Sequence, residues 1–360
     1  MTAPVMIMAG GTGGHVFPAL AVAERLRELS TPVVWMGTRE GLEARVVPAH
    51  GLPIEWVSVS GLRGKGAAGW LLAPFRLVRA LVQSLSILLR SKPAVVLGMG
   101  GFVTGPGGVA AWLLRTPLVI HEQNAIAGLT NRLLSRLASD VLAGFPNGFP
   151  PRANARTVGN PVRRDIAALP APVERLAGRD GRPRLLVVGG SRGALALNRK
   201  VPAALAHLPD NERPSVWHQC GSKTLDEAEA AYAEAGVEAR IDAFIDDMPA
   251  AYAWADLVVC RAGALTVAEL GAVGVAALLV PFPYAVDDHQ TANGQHLVAA
   301  GAAVLAPEAT LDAESLAAAL RKLLGDRERL LAMAQKARGT AQPDATEALA
   351  QAVLGAVRDE

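Results

Sequence analysis

At two places half the 360-residue chain apart, an apolar run ends in a glycine loop of similar build that opens onto a helical pattern. Val5-Met6-Ile7-Met8 leads to Gly10-Gly11-Thr12-Gly13-Gly14-His15. Leu185-Leu186-Val187-Val188 leads to Gly189-Gly190-Ser191-Arg192-Gly193-Ala194. A buried strand turning sharply into a helix is the unit from which parallel sheets are wound. Restarting it halfway along the chain implies two domains of similar build. Further apolar runs at Val33–Gly37, Val95–Gly98, Leu118–His121, Val141–Ala143, Ser215–Gln219, Leu257–Cys260 and Ala277–Val280 are predicted strands. They are continuous rather than alternating, as in sheets covered on both faces. The fold class expected is α/β, with two doubly wound parallel sheets. A helix is expected over Pro18–Leu29, with Pro18 in its first turn. The Pro- and Gly-rich stretch 144–161 breaks the pattern and places a linker near Asn160–Arg163, and a second loose stretch is expected at Leu169–Pro183.

Composition excludes several classes. Hydrophobic residues are 51% and charged residues 19%, enough for sizeable cores and inconsistent with disorder. Two cysteines, Cys220 and Cys260, form no CxxC pair, so neither a disulfide scaffold nor a zinc ribbon is expected. The net charge of +2 is unevenly spread. Residues 1–162 carry 15 Lys and Arg against 7 Asp and Glu, a net of +8, and the remainder is −6. The basic half is expected to face an anionic partner. No targeting segment is read at the N-terminus, which lacks a basic leader and runs straight into the first strand.

Glycine loops let backbone N–H groups approach an anion, aided by the positive end of the following helix. Two glycines would make a turn at residue 10; four, with Thr12 and His15, exceed that need. A dinucleotide reading lacks the acidic residue expected where the second strand ends, since Gly37-Thr38-Arg39 stands there, and Arg39 leaves only a 2′-phosphate ligand open. No Gly-Lys-Ser/Thr follows any glycine loop. A second cluster, Gly98-Met99-Gly100-Gly101 with Gly105-Pro106-Gly107-Gly108, permits close approach by a ligand or by the facing domain, or else forms a packed helix–strand corner. His121-Glu122-Gln123-Asn124 ends an apolar strand, where a general base or a capping turn are both possible readings. In the second half, Arg261 to Glu269 follows a strand, and Glu269 reads either as a carboxylate able to accept both hydroxyls of a ribose or as a solvated helix residue. Asp287-Asp288-His289-Gln290 and Asn293 form a polar knot. No HExxH and no Asp-x-Asp occurs, and the pairs Asp246-Asp247 and Asp287-Asp288 read as turns, so no metal is expected.

The stretch Trp70–Leu89 is apolar with Arg63, Lys65, Arg76, Arg79, Arg90 and Lys92 around it. Arg76 and Arg79 oppose a membrane-spanning role. An interfacial contact through Trp70, Leu71, Phe75, Arg76 and Arg79 is one reading; a buried core helix is the other.

Taken in order, Gly10–His15, Ser60–Gly66, Leu97–Gly108, His121–Thr130, Val158–Arg163, Val187–Ala194, Phe244–Met248, Arg261–Glu269 and Asp288-His289-Gln290 closely resemble the bacterial peptidoglycan N-acetylglucosaminyltransferases that convert lipid I to lipid II. The resemblance spans essentially the whole chain. It implies the GT-B architecture of two Rossmann-like domains facing across a cleft. Residues 1–162 with a returning helix at about 344–360 would form the acceptor and membrane-facing domain, and 163–343 the donor domain. It implies inverting β-1,4 transfer from UDP-N-acetylglucosamine to the 4-hydroxyl of the muramoyl sugar of lipid I, without cofactor, metal or nucleic acid. The setting is the cytoplasmic face of the inner membrane, in cell-wall synthesis that serves cell shape and division.

The resemblance also implies residue roles. Ile245 would meet the uracil through its backbone, with Arg163 beside the nucleotide. The run Ala264, Leu265, Thr266, Val267, Ala268 and Glu269 would line the donor, Glu269 on the ribose and Ser191 on the diphosphate. Gln290 and Asn124 would address the sugar. Thr12, Gly13 and Gly14 would approach from the first domain, towards the acceptor diphosphate. His15 and Glu122 are both base candidates. Arg192 stands where Gln is frequent, and Phe102 where Tyr is common. Rival readings are another GT-B enzyme, such as a UDP-N-acetylglucosamine epimerase, and a non-catalytic nucleotide-sensing scaffold at the membrane.

Overall fold

The computed structural model describes residues 3–59, 72–190 and 193–357, without the side chain of Val286. The chain forms two compact units, Met1–Arg163 with Asp344–Glu360, and Arg164–Pro343. Unit 1 runs β1 (Val5–Met8), α1 (Gly13–Glu28), β2 (Val33–Gly37), α2 (Glu43–Ala49), β3 (Ile54–Trp56), α3 (Ala73–Ser91), β4 (Val95–Gly98), α4 (Thr104–Leu113), β5 (Leu118–Glu122), α5 (Leu129–Leu134), β6 (Asp140–Ala143) and β7 (Arg156–Thr157). Its described strands form one parallel sheet in the order β3-β2-β1-β4-β5-β6-β7.

Unit 2 repeats the plan. It comprises α6 (Arg164–Ala167), α7 (Pro172–Leu176), β8 (Arg184–Val188), α8 (Leu195–Ala206), β9 (Ser215–Gln219), α9 (Leu225–Ala235), β10 (Arg240–Asp242) and α10 (Met248–Trp254). It continues with β11 (Leu257–Cys260), α11 (Ala264–Val273), β12 (Ala276–Leu279), α12 (His289–Ala299), β13 (Ala303–Leu305), α13 (Ala313–Leu324) and α14 (Arg327–Arg338). The sheet order is β10-β9-β8-β11-β12-β13, again parallel. The doubly wound α/β reading therefore holds in both units. In each, the strand order reverses once, between β1 and β4 and between β8 and β11. Ligands of such sheets bind where the order reverses, beyond the carboxyl ends of the strands. Both glycine loops sit there, after β1 and after β8.

The central strands are fully buried, as their unbroken apolar sequences require. A last helix, α15 (Ala345–Gly355), returns to unit 1. Its Leu349, Ala350 and Val353 join Ile7, Ala19, Ala23 and Leu26 in one apolar cluster, and Arg25 pairs with Glu347.

Two local expectations are corrected. Helix α1 begins at Gly13, so Pro18 lies in its second turn. Proline there withdraws the N–H that the carbonyl of Gly14 would take, at a residue that is itself exposed. The stretch expected to be loose before β8 is tied down. Arg175 donates to the carbonyls of Tyr252, Ala255 and Gly274. Arg179 pairs with Asp256 and donates to the carbonyls of Ala253, Trp254 and Ala255. These guanidiniums satisfy the end of α10, where helix carbonyls otherwise lack donors.

Candidate functional site

In unit 1 the first two glycine clusters are packed against each other. Gly101 lies at φ 88°, and a Cβ there would stand 2.4 Å from the carbonyl oxygen of Gly10. At Gly100, φ 102°, a Cβ would stand 2.6 Å from His15 Cδ2 and 2.9 Å from its Nε2. Only glycine allows these approaches. Buried Thr104 fastens the second loop by donating to the Gly100 carbonyl at 2.8 Å. The second cluster is therefore the floor of the first loop, with the His15 ring laid over it.

His15 Nδ1 is 3.3 Å from the Gly10 carbonyl. A carbonyl only accepts, so this bond puts the proton on Nδ1 and, in the neutral ring, the lone pair on Nε2. The side chain is half-buried at the first turn of α1, and the N-cap residue Thr12 makes no side-chain cap there. The same is true of the N-cap residues of α8 and α11, which follow the glycine loop of β8 and strand β11. Asp247, Asp312 and Asp326 cap α10, α13 and α14, while most other described helices also lack such a cap. The first-turn amides at the two reversal points are thus clear of N-cap side chains, which is compatible with an anion site and not peculiar to it.

Glu122, at the end of β5, is almost wholly buried and accepts four hydrogen bonds. Oε1 takes the backbone N–H and the side-chain amide of Asn124, both at 3.0 Å. Oε2 takes Gly128 N–H at 3.1 Å and Asn131 Nδ2 at 2.9 Å. The carboxyl is thereby built into the turn that follows the strand. Its neighbour His121 is fully buried, and burial lowers its pKa to about 4. His121 Nε2 meets the Gly159 carbonyl at 2.9 Å, and Gln123 Nε2 donates to its Nδ1 at 3.1 Å and to the Met99 carbonyl at 3.0 Å. With Asn160 Nδ2 donating to Gln123 O, this network joins the second glycine cluster to the segment leading out of unit 1.

In unit 2, Gly189, Gly190 and Gly193 form the loop after β8; Ser191 and Arg192 lie outside the described residues. A Cβ at Gly193 would come 2.4 Å from the Cys220 carbonyl. Helix α11 carries Ala264, Leu265, Thr266, Val267, Ala268 and Glu269, starting just past β11. Glu269 is half-buried and accepts from the Tyr252 hydroxyl at 2.9 Å. Ile245 is buried, and Gln290 Oε1 accepts from Phe282 N–H at 2.9 Å. Asn293 is fully buried and donates to the Ala262 carbonyl. Arg163 is half-buried and belongs to unit 1, one residue before the division. Among the described residues no group of three or more His, Cys, Asp or Glu side chains converges as metal ligands would.

Residues 5–143 match the glycosyltransferase family 28 N-terminal domain and residues 184–349 its C-terminal domain. The UDP-N-acetylglucosamine–N-acetylmuramyl-(pentapeptide) pyrophosphoryl-undecaprenol N-acetylglucosamine transferase of Alkalilimnicola ehrlichii is 63% identical over 99% of this chain and 100% of its own. The chain belongs to glycosyltransferase family 28. The transferase of the same name from Nitrosococcus oceani is 59% identical over 98% of this chain and 99% of its own. The crystal structure of Acinetobacter baumannii MurG, 42% identical, superposes with a TM-score of 0.84 and covers 98% of this chain and 100% of that one. The resemblance expected from the sequence is thus confirmed, and with it the GT-B class of architecture.

Strand β2 ends in Gly37-Thr38-Arg39, without the acidic residue that a dinucleotide ribose needs. Glu43, on α2, is turned inward to accept from Gly11 N–H at 2.8 Å. Arg39 lies over the Trp56 ring at 5.0 Å. Sequence reasoning missed Glu43 because its spacing from the strand is irregular; the glycines around it, Gly37 and Gly41, were the available signal.

The apolar, basic stretch is partly visible. Trp70 and Leu71 lie outside the described residues, as does the motif at residues 60–66. Helix α3 buries Ala73, Ala80, Ser84, Ile87 and Leu88, which form one face. Its other side exposes Phe75 (75%), Val78, Val82 and Leu89, at helical spacing, with Arg76 and Arg79 also exposed. The core-helix reading therefore holds for one face of α3 and not for the other. The neighbouring α4 and α5 add exposed Trp112, Leu113, Leu129 and Leu133, residues the sequence reading left out. No helix among the described residues is long and apolar enough to cross a membrane.

Proposed function

We propose that this chain transfers N-acetylglucosamine from UDP-N-acetylglucosamine to the 4-hydroxyl of the muramoyl sugar of lipid I, giving lipid II and UDP for peptidoglycan synthesis. Its membership of the family, over nearly its full length, carries this reading. Transfer is a single inverting displacement. The acceptor oxygen bonds to the anomeric carbon as the bond from that carbon to the UDP phosphate oxygen breaks. The acceptor proton passes to a base, and charge develops on the departing UDP.

His15 suits the base. Its Nδ1 bond to Gly10 directs the lone pair to Nε2, whereas all four acceptor directions of Glu122 are engaged within its own turn. Glu122 then serves to shape the loop that presents Asn124 to the sugar. In unit 2 the leaving diphosphate would lie on the β8 loop, with Ser191 and the uncapped start of α8. Glu269 would hold the ribose, Ile245 and Arg163 the nucleotide, and Ala264, Leu265, Thr266 and Gln290 the sugar. Thr12, Gly13 and Gly14 would face the acceptor diphosphate. Helix-terminal amides stabilise developing phosphate charge without a metal ion, so no cofactor is invoked.

The acceptor is lipid-linked, and the exposed apolar side of α3, continued by Trp112, Leu113, Leu129 and Leu133, supplies the contact with an anionic bilayer. The enzyme would work as a peripheral protein on the cytoplasmic face of the inner membrane. Exposed apolar side chains on α3, α4 and α5, with exposed Arg76, Arg79, Arg115 and Arg132 on or next to the same helices, support such a contact. The test is incubation with labelled UDP-N-acetylglucosamine and a lipid I analogue. A β-1,4 disaccharide product is expected. Epimerised nucleotide sugar, or nucleotide binding without turnover, would overturn the reading in favour of an epimerase or a sensing scaffold.

A further inference from the structure

Glu43 is completely buried, and its carboxyl is held by a shell of backbone and hydroxyl donors. Oε1 accepts from Thr38 N–H at 2.9 Å and from Thr38 Oγ1 at 2.6 Å, and Oε2 accepts from Gly11 N–H at 2.8 Å. Three glycines close around the side chain. A Cβ at Gly10 would lie 2.5 Å from Oε1, at Gly41 2.0 Å from Oε2, and at Gly37 2.8 Å from Cγ. The carboxyl thus ties the end of β2 to the loop after β1 at the point where the sheet order reverses. The Gly11 peptide it holds adjoins Gly10, whose carbonyl orients the His15 ring.

We infer that Glu43 is a positioning residue for transfer: by fixing the Gly10–Gly11 peptide, it sets the orientation of the His15 imidazole and of the first-turn amides of α1. This rests on His15 being the base. The substitution that probes it is Glu43→Gln. An amide accepts at one end only, and the two ends of Glu43 each face a backbone N–H. Whichever way the substituted side chain is turned, its NH2 group meets a donor, either Gly11 or Thr38. The Gly10–Gly11 peptide must then shift, and small misplacements of a catalytic group cost rate steeply.

The experiment uses the full chain with UDP-N-acetylglucosamine and a lipid I analogue. Glu43→Gln should lower kcat about 10- to 100-fold, leave KM for UDP-N-acetylglucosamine within about twofold, and move the Gly11 amide resonance. In a His15→Asn background the same change should cost less than about twofold more, because two residues acting through one geometry are not additive. Full additivity, or a kcat within about twofold of the parent, would overturn the proposal while leaving His15 as base. An unchanged kcat in His15→Asn alone would remove the base reading and this inference with it. Should Glu43→Gln fail to fold, Thr38→Val decides: it deletes one donor to Oε1, and should lower kcat with KM unchanged, whereas an unaltered kcat counts against the proposal.

Discussion

The Tyr252 hydroxyl donates to Glu269 Oε2 across 2.9 Å, joining α10 to α11 in unit 2. Tyr252 is 1% exposed, so its phenol is a fixed post rather than a mobile partner. The carboxylate assigned to the ribose is therefore held at one oxygen by a fixed hydroxyl. A pre-oriented acceptor loses less freedom on binding than a free side chain would.

Removing the two partners should have graded effects. Glu269→Ala deletes a charged hydrogen bond to the ribose, worth roughly 1.5–3 kcal/mol, and should weaken UDP binding about tenfold or more. Tyr252→Phe leaves the carboxylate but releases it, and should cost roughly 0.5–1.5 kcal/mol. Calorimetric titration with UDP checks both; equal affinity in Glu269→Ala and the parent would refute the ribose assignment.

Turnover should survive a large excess of chelator, within a few-fold of the untreated rate. The described residues bring no cluster of metal-ligating side chains together, and helix amides are proposed to meet the diphosphate instead. Loss of activity that magnesium restores would show that the diphosphate is held in another way.

Vesicle binding should rise with anionic lipid and fall only in part at high salt. Arg76→Glu with Arg79→Glu should remove the salt-sensitive part, since each basic residue near such a surface contributes about 1 kcal/mol. Phe75→Ser with Val78→Ser should remove the remainder, which scales with buried apolar area at about 25 cal/mol per Å². Neither pair should alter activity on a short-chain, soluble acceptor. If the arginine pair leaves sedimentation with vesicles unchanged, those arginines merely face solvent.

Acid should weaken the fold before it reaches the carboxylates. Burial lowers His121 to about 4 and His218 to about 3, against 6.5 for an ordinary histidine. Both are neutral in the folded chain over a range where the unfolded chain binds protons. Their contribution is therefore complete above pH 6.5 and declines as pH falls towards 4. It amounts to a few kcal/mol at most per group, at about 1.4 kcal/mol per pKa unit. Thermal midpoints should be level between about pH 7 and 8 and drop between pH 6.5 and 4. His218→Phe should lose stability at about pH 8 but show a shallower drop; an equally steep drop would place the sensitivity elsewhere.

The central strands were legible because they are buried on both faces and so must be apolar throughout. Four strands were not: Ile54–Trp56, Arg156–Thr157, Arg240–Asp242 and Ala303–Leu305. Each lies at the edge of its sheet, where pairing on one side suffices and no unbroken apolar run is needed. The glycine loops were legible as loops. Their mutual packing was not, since nothing in the spacing says that Gly101 must clear the Gly10 backbone. The sequence leaves Glu122 open as a general base or as part of a capping turn; its four hydrogen bonds from Asn124, Gly128 and Asn131 build it into the turn, which the sequence alone does not decide. The exposure of Trp112 and Leu133 is visible only once α4 is placed beside α3 and α5 beside α4.

The return of α15 to unit 1 imposes an order on synthesis. Leu349, Ala350 and Val353 fill an apolar cluster whose other walls include Ile7, Ala19, Ala23 and Leu26, near the start of the chain. A ribosome releases β1 and α1 long before it releases their cover. The whole of Arg164–Pro343 can collapse while the older unit still waits, its Ile7–Leu26 face open to water or to a chaperone. Chains stalled or cut near Pro343 would thus expose a greasy seam at the opposite end of the sequence from the damage.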